Sequence, residues 1–149
     1  MINRRVEYLS ATIMVGWAGL LIATSDNSVT SSVAFAPMIS RGWTEIQLAI
    51  ILGLFGLVWL CALWVNGRYR RTPVFRCICA AGGVVIWSHV GLQLVISGFR
   101  TGIWSTGLPV YWTLAAFDLA SCYRSAADAY FAHLKGKLKD KMAAAQHEP

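Results

Sequence analysis

One stretch organises the chain: Asn66-Gly67-Arg68-Tyr69-Arg70-Arg71-Thr72-Pro73-Val74-Phe75-Arg76. It places four arginines between two long apolar runs. Asn66-Gly67 is typical of a helix end, since both residues tolerate the left-handed conformation that follows one. Thr72-Pro73 is typical of a helix start, because Thr caps free N–H groups and Pro fits the first turn. The stretch therefore predicts the tip of a helical hairpin.

The composition of the whole chain places that hairpin in a membrane. Of 149 residues, 56% are hydrophobic and 13% are charged, which is too apolar for an ordinary soluble domain. A net charge of +6 would suggest nucleic-acid binding on a soluble fold, but here the basic residues fall between and after apolar runs. We interpret them as topology determinants and expect no nucleic-acid partner.

Four apolar segments match membrane-spanning helices, which need roughly 20 residues to cross a hydrocarbon core of ~30 Å. We place these spans at about 8–24, 46–65, 74–96 and 108–123. The first could also be a secretory signal, but Ala34 and Ala36, its nearest small-residue site, lie well past it and precede Pro37, so we retain a span. The predicted fold is all-α, an integral membrane four-helix bundle over residues 1–129.

The segment between the first two spans is predicted to be a loop that carries an apolar island, residues 33–39. The island has the composition of a short helical turn lying in the membrane interface, with Trp43 as an aromatic anchor. Thr44 and Gln47 then fit a capping box, in which each side chain satisfies the backbone N–H of the other. The second helix is therefore expected to begin there.

Residues 130–149 are predicted to form a basic amphipathic cytoplasmic helix. Its large apolar residues recur at helical spacing and are Tyr130, Phe131, Leu134, Leu138 and Met142. Its lysines, placed mainly between them, are Lys135, Lys137, Lys139 and Lys141. Two interpretations remain open: a helix lying on the membrane with its lysines toward anionic headgroups, or a solvated basic tail.

The basic residues also predict the orientation of the chain. Of the 13 Lys and Arg residues, only Arg41 and Arg100 fall on one side of the predicted spans. The other side includes Arg68, Arg70, Arg71, Arg76 and the lysines of the tail, which we assign to topology and headgroup contacts. With an even number of spans, the positive-inside rule places both termini in the cytoplasm.

Two ionisable residues fall inside predicted spans, His89 in the third and Asp118 in the fourth. Charged groups at that depth are costly and usually find partners in the protein. At ~1.5 Å per residue the two residues lie at similar depths on neighbouring helices, so the sequence predicts a contact between them. Such a pair would serve either as a proton or ion relay or as a buried bridge that fixes helix packing.

The fourth span carries a polar, small-residue stripe at spacings of three and four. Its members are Asp118, Ser121, Cys122 and Ser125. Small and hydroxyl side chains let helices approach closely in lipid and bridge between them. The stripe is therefore predicted to pack against another helix, which belongs either to this chain or to a second copy.

The sequence contains no recognisable catalytic or metal-binding motif. The cysteines Cys61, Cys77, Cys79 and Cys122 lack the paired C-x-x-C spacing of zinc and redox sites. A phosphate-binding loop, an H-E-x-x-H motif and a serine nucleophile elbow are also missing. We expect no enzymatic activity, no cofactor and no metal.

A family resemblance rests on two groups of residues. The first is Leu63-Trp64-Val65-Asn66-Gly67 with Arg70-Arg71-Thr72-Pro73 and Arg76, and the second is Thr106-Gly107, Tyr111, Asp118-Leu119, Tyr123-Arg124 and Asp128. Together they resemble small membrane proteins encoded by tailed bacteriophages. The resemblance implies a protein of the host bacterial inner membrane, of which the holins, small non-enzymatic proteins that assemble into membrane lesions, are one kind.

Two functions are consistent with these features. The first is a non-enzymatic inner-membrane protein that forms homo-oligomers or binds other membrane proteins, with holin-like permeabilisation as its most concrete form. The alternative is a small proton- or ion-coupled transporter or channel that uses His89 and Asp118.

Overall fold

The structure is a computed structural model that describes residues 2–24, 32–68 and 73–146. These ranges are helical apart from short turns, and the helices follow one another along the chain. They are α1 (Ile2–Ala23), a 3-10 turn (Val33–Phe35), α2 (Ala36–Ile39), α3 (Glu45–Arg68), α4 (Pro73–Thr101) and α5 (Leu108–Gln146). The predicted all-helical class is confirmed for the described part of the chain.

Local sequence signals place several helix ends correctly. Thr44 N–H donates to Gln47 Oε1 at 3.0 Å and Gln47 N–H donates to Thr44 Oγ1 at 3.2 Å, so the predicted capping box forms at the start of α3. Helix α4 begins at Pro73, as the Thr72-Pro73 signal predicts. The apolar island is helical, since the 3-10 turn and α2 cover Val33 to Ile39.

Helix α4 extends past its predicted end at residue 96. It continues through Ser97 and Gly98 to Thr101, and the positive φ of 72° at Gly102 ends it. Ser97 Oγ donates to the carbonyl oxygen of Val33 at 2.7 Å, while Gly98 lies against the ring of Trp104. Ser97 and Gly98 therefore make tertiary contacts within α4, although in the sequence they resemble a helix stop.

Helix α5 runs without a break from the predicted fourth span into the predicted tail. It has 39 residues, which corresponds to a length of about 58 Å at ~1.5 Å per residue. The predicted tail, which begins at residue 130, is therefore continuous with the helix of the predicted fourth span.

The helices pack as two antiparallel pairs, α1 with α3 and α4 with α5. The 3-10 turn and α2 pack on α4, and α1 also touches α4 and α5. Trp59, Trp87 and Met14 are fully buried at the centre of the apolar core. Large apolar side chains also cover the outside, as in α3, where Leu54 and Val58 are more than half exposed.

Three helical segments are long and apolar enough to cross a membrane. They are Arg5–Ala23, Glu45–Val65 with a mean hydropathy of 2.6, and Pro73–Thr101. These correspond to the first three predicted spans. The segment predicted as the fourth span, 108–123, is not among the candidates found in the described residues.

Candidate functional site inside the helix bundle

Two polar side chains of α1, Glu7 and Ser10, point into the bundle and pair there with groups from other helices. Glu7 is fully buried, and both of its carboxylate oxygens accept from N–H groups along one edge of a single guanidinium. Arg76 Nε donates to Glu7 Oε2 at 3.1 Å, and Arg76 Nη2 donates to Glu7 Oε1. A two-point arginine–carboxylate pair of this kind fixes orientation as well as charge, so it ties the start of α1 to the start of α4.

One helical turn further along α1, Ser10 links three helices. Its hydroxyl donates to Asp118 Oδ2 at 2.8 Å and accepts from Trp87 Nε1, also at 2.8 Å. Ser10, Trp87 and Asp118 are each at most 1% exposed. The three residues, which we call the Ser10 bridge, join α1, α4 and α5 by hydrogen bonds away from solvent.

A glycine makes room for this bridge on α4. A Cβ at Gly83 would clash with Asp118 Oδ2 and would lie 2.7 Å from the ring of Trp59. The glycine therefore lets α5 and α3 approach the backbone of α4 from two sides. Asp118 Oδ1 and Ser125 Oγ, both buried, have no hydrogen-bond partner within the described ranges.

The stripe predicted on α5 is used inside the chain. Asp118, Ser121 and Ser125 are buried, and Cys122 is half-buried with its Sγ 3.4 Å from Cys77 Sγ on α4. The sequence left open whether this stripe packs against its own chain or a second copy. In the structure it packs against helices of the same chain. The stripe is therefore not a free surface for contacts between copies.

The predicted contact between His89 and Asp118 does not form, so that prediction is wrong. Asp118 bonds to Ser10, whereas His89 is exposed and its Nε2 lies 3.3 Å from Gln93 Nε2. Asp118 packs at the level of Gly83, six residues and about 9 Å along α4 from His89, and helix rotation also separates the two side chains. Trp87 faces the Ser10 bridge, and two residues later the helix has turned by about 200°, which directs His89 away from it.

The basic residues assigned to topology divide into three groups. Arg70 and Arg71 lie outside the described residues, as does the side chain of Arg68. Arg76 turns inward to Glu7 with 12% of its side chain exposed, so its expected headgroup contact is replaced by a buried ion pair. The lysines of α5 are exposed and are Lys135, Lys137, Lys139 and Lys141.

Sequence reasoning missed Glu7, Ser10 and Trp87 as members of the interior network. The signal was present in spacing, because Glu7, Ser10 and Met14 share one face of α1 at intervals of three and four, and all three are buried. In the sequence, Glu7 directly precedes the first predicted span, where a charged residue is ordinary. Its inward direction depends on the presence of Arg76, which lies 69 positions away in the chain.

Comparison with known proteins gives no relative. Neither the family models, nor the curated proteins, nor the solved structures contain a match to this chain.

Proposed function

We propose that this chain is a non-enzymatic, multi-pass protein of the bacterial inner membrane that acts by associating with further copies of itself. Its distribution of polarity supports the membrane part of the proposal. Carboxylates such as Glu7 and Asp118 are fully buried, while Leu54, Val58 and Val85 are exposed. Polar groups that are satisfied inside and apolar groups that face outward are what a lipid environment requires.

Four spans and two cytoplasmic termini remain part of the proposal. Helix α5 packs along α4, which has the length and hydropathy of a span. Asp118 lowers the hydropathy of α5, but its cost in lipid is reduced because it bonds to Ser10 inside the bundle. Packing against α4 therefore supports residues 108–123 as the fourth span.

The proposed association between copies is inferred from the C-terminal part of α5, from residue 130 onward, where the described side chains are exposed. Its stripe of Phe131, Leu134, Leu138 and Met142 is exposed at spacings of three, four and four residues. This spacing is close to that of helices that pair along an apolar seam. An apolar stripe beyond the membrane is costly in water and is covered when a second copy packs against it.

The lysines on the same segment oppose that contact between copies through charge repulsion. Packing two copies side by side brings Lys135, Lys137, Lys139 and Lys141 near those of the partner. Like charges oppose association, so it should begin only above a threshold density of protein in the membrane. Assembly that starts at a threshold is the behaviour of a holin-like protein, which gives the proposal its most concrete form.

The test is the membrane potential of bacteria during graded expression. We expect the potential to collapse abruptly once the protein passes a threshold level. The variant carrying Leu134→Gln and Leu138→Gln should raise this threshold or abolish the collapse. His133→Gln, which changes the opposite face of the same segment, is the matched control and should behave as wild type. An intact potential at high levels of inserted wild-type protein would refute lesion formation.

A second candidate, proton- or ion-coupled transport, is favoured by the burial of Glu7 and Asp118 on adjacent helices. Intramembrane carboxylates often mark ion pathways. This function predicts a leak that grows in proportion to expression and is lost in Asp118→Asn while the protein still inserts. A leak that is unchanged in Asp118→Asn would exclude a relay through this residue.

A further inference from the structure

A cavity opens between α1, α2, α3 and α4, on the side of the bundle away from the lysines. It has a volume of about 250 Å³, and its walls include Trp17, Met38, Leu52 and Val90. Among the described residues that line it, His89 is the ionisable one. Its apolar lining is typical of a site for hydrocarbon, and its volume is near the lower end of the usual range for ligand sites.

A second, more polar pocket of about 400 Å³ adjoins this cavity. Arg41, Gly42 and Gln47 line it, and it shares Trp43 and Ile51 with the apolar cavity. The two spaces are adjacent, one apolar and lined by the helices of the bundle, the other cationic at its mouth, and we call the pair the slot. An amphiphile has the same division between chain and headgroup.

The residues around the slot are held in place before any ligand binds. The ring of Trp17 stacks on Trp87 at 6.1 Å and on Tyr111 at 5.6 Å, which fixes the inner wall. At the mouth, Arg41 N–H donates to Met38 O at 3.0 Å, and Gly42 completes the turn with a φ of 83°. A preformed site loses little conformational freedom on binding, which favours affinity.

A polar chain connects the mouth of the slot to His89. Arg41 Nη1 lies 3.5 Å from Gln93 Oε1, and the other end of this fully buried amide is 3.3 Å from His89 Nε2. The long distance to Arg41 leaves most of the guanidinium available for another acceptor. Arg41 is also one of the two basic residues predicted on the non-cytoplasmic side, where the positive-inside rule gives it no topological role.

We propose that this slot binds one anionic phospholipid, with an acyl chain in the apolar cavity and the phosphate at Arg41. Guanidinium groups bind phosphate by several parallel hydrogen bonds, and basic pockets between membrane helices recognise anionic headgroups. Membrane lipid supplies chain and phosphate together, at the depth where Arg41 lies. The site is separate from the α5 stripe, so either proposal can fail without the other.

The experiment is native mass spectrometry of the full chain in a neutral detergent, with phosphatidylglycerol or phosphatidylcholine of identical chains added. We expect one tightly retained phosphatidylglycerol and an affinity for phosphatidylcholine lower by about tenfold. Arg41→Gln should remove this preference. Arg100→Gln is the matched control, because Arg100 lies at the same end of the bundle but lines neither pocket.

A second variant tests the apolar end of the slot. Ile51 lies at the junction of the two pockets and is 43% exposed, so Ile51→Trp should obstruct the slot without disturbing the core. We expect it to weaken phosphatidylglycerol binding even though Arg41 is retained. Circular dichroism and elution volume report whether each variant is folded.

Three outcomes would overturn the proposal. Equal retention of the two phospholipids, which both carry a phosphate, would show that Arg41 does not select a headgroup with net negative charge. An equal loss in Arg41→Gln and Arg100→Gln would indicate attraction to overall charge rather than to a site. If oleate, added in a parallel sample, were retained and phosphatidylglycerol were not, the slot would be assigned to a free fatty acid instead.

Discussion

Ser10 is the residue through which three helices share hydrogen bonds. Its single hydroxyl serves as donor to Asp118 and as acceptor from Trp87, so both of its roles are used inside the bundle. Loss of the hydroxyl leaves a carboxylate oxygen and an indole N–H buried without this partner. Unpaired buried polar groups cost more than the net gain of forming their hydrogen bond.

We therefore predict that Ser10→Ala lowers the free energy of unfolding by about 1–3 kcal/mol. The matched control is Thr12→Ala, which removes an exposed hydroxyl from the same helix and should change stability by less than about 0.5 kcal/mol. Thermal or denaturant unfolding of the purified protein in detergent measures both. Equal stability of the two variants would mean that the Ser10 bridge contributes nothing to folding.

At the scale of elements, α4 is the helix on which the others converge. Gly83 allows Trp59 and Asp118 to approach its backbone, while Cys77 meets Cys122 one to two turns closer to the start of the helix. These contacts depend on small residues at the interface, because only a short distance between helix axes brings such side chains together. Each of them yields a prediction about helix packing.

Gly83→Ala should destabilise the protein, because its new methyl group would lie 2.7 Å from the Trp59 ring and against Asp118. We expect a loss of about 1–3 kcal/mol, as for other overpacked interiors. Gly16→Ala is the control, since no atom outside its own helix turn lies within 4 Å of the added Cβ, and alanine favours helix there. Unfolding of both variants under identical conditions provides the comparison, and a stable Gly83→Ala protein would contradict the close approach.

Cys77 and Cys122 are predicted to form a disulfide within one chain when a thiol oxidant is added. Their sulfurs are 3.4 Å apart as free thiols, and side-chain rotation must bring them to the ~2.05 Å of a bond. The two thiols lose two electrons and two protons to the oxidant as the S–S bond forms. Intact-mass spectrometry should therefore show the loss of two hydrogens.

Cys77→Ser should prevent this loss of hydrogens, whereas Cys61→Ser should not, because Cys61 is exposed on α3. Crosslinked dimers in place of the intramolecular bond would contradict the predicted pairing of α4 with α5.

At the scale of the whole molecule, the number of membrane crossings depends on α5. Its first half is not among the three candidate spans, yet it packs along α4 and contributes Asp118 to the interior network. A helix that is inserted with its partners needs less hydropathy than one that is inserted alone, because its polar groups are satisfied by the bundle. Four crossings place both termini on one side, and three place them on opposite sides.

We predict that both termini are cytoplasmic. A fluorescent protein fused after residue 149 should fluoresce, and an alkaline phosphatase fused at the same position should be inactive, since the first functions inside the cell and the second outside. A phosphatase fused within residues 102–107 should be active. Active phosphatase at the C-terminus would show that α5 does not cross the membrane.

Local sequence patterns are sufficient to predict the starts of α3 and α4 and the three most apolar helical segments. Thr44 and Gln47 cap α3, and Pro73 starts α4, because capping and proline geometry act between residues a few positions apart. Charge placement is likewise a property of the chain alone. These features need no knowledge of which helices are neighbours.

Which polar residues meet depends on how the helices pack. Asp118 pairs with Ser10 rather than His89, and Glu7 faces Arg76, because each partner is set by the rotation and packing of whole helices. The position of the end of α4 also depends on tertiary structure, since Ser97 and Gly98 make contacts with Val33 and Trp104. A residue two positions further along a helix points to the opposite side, so an argument from depth alone cannot select the face.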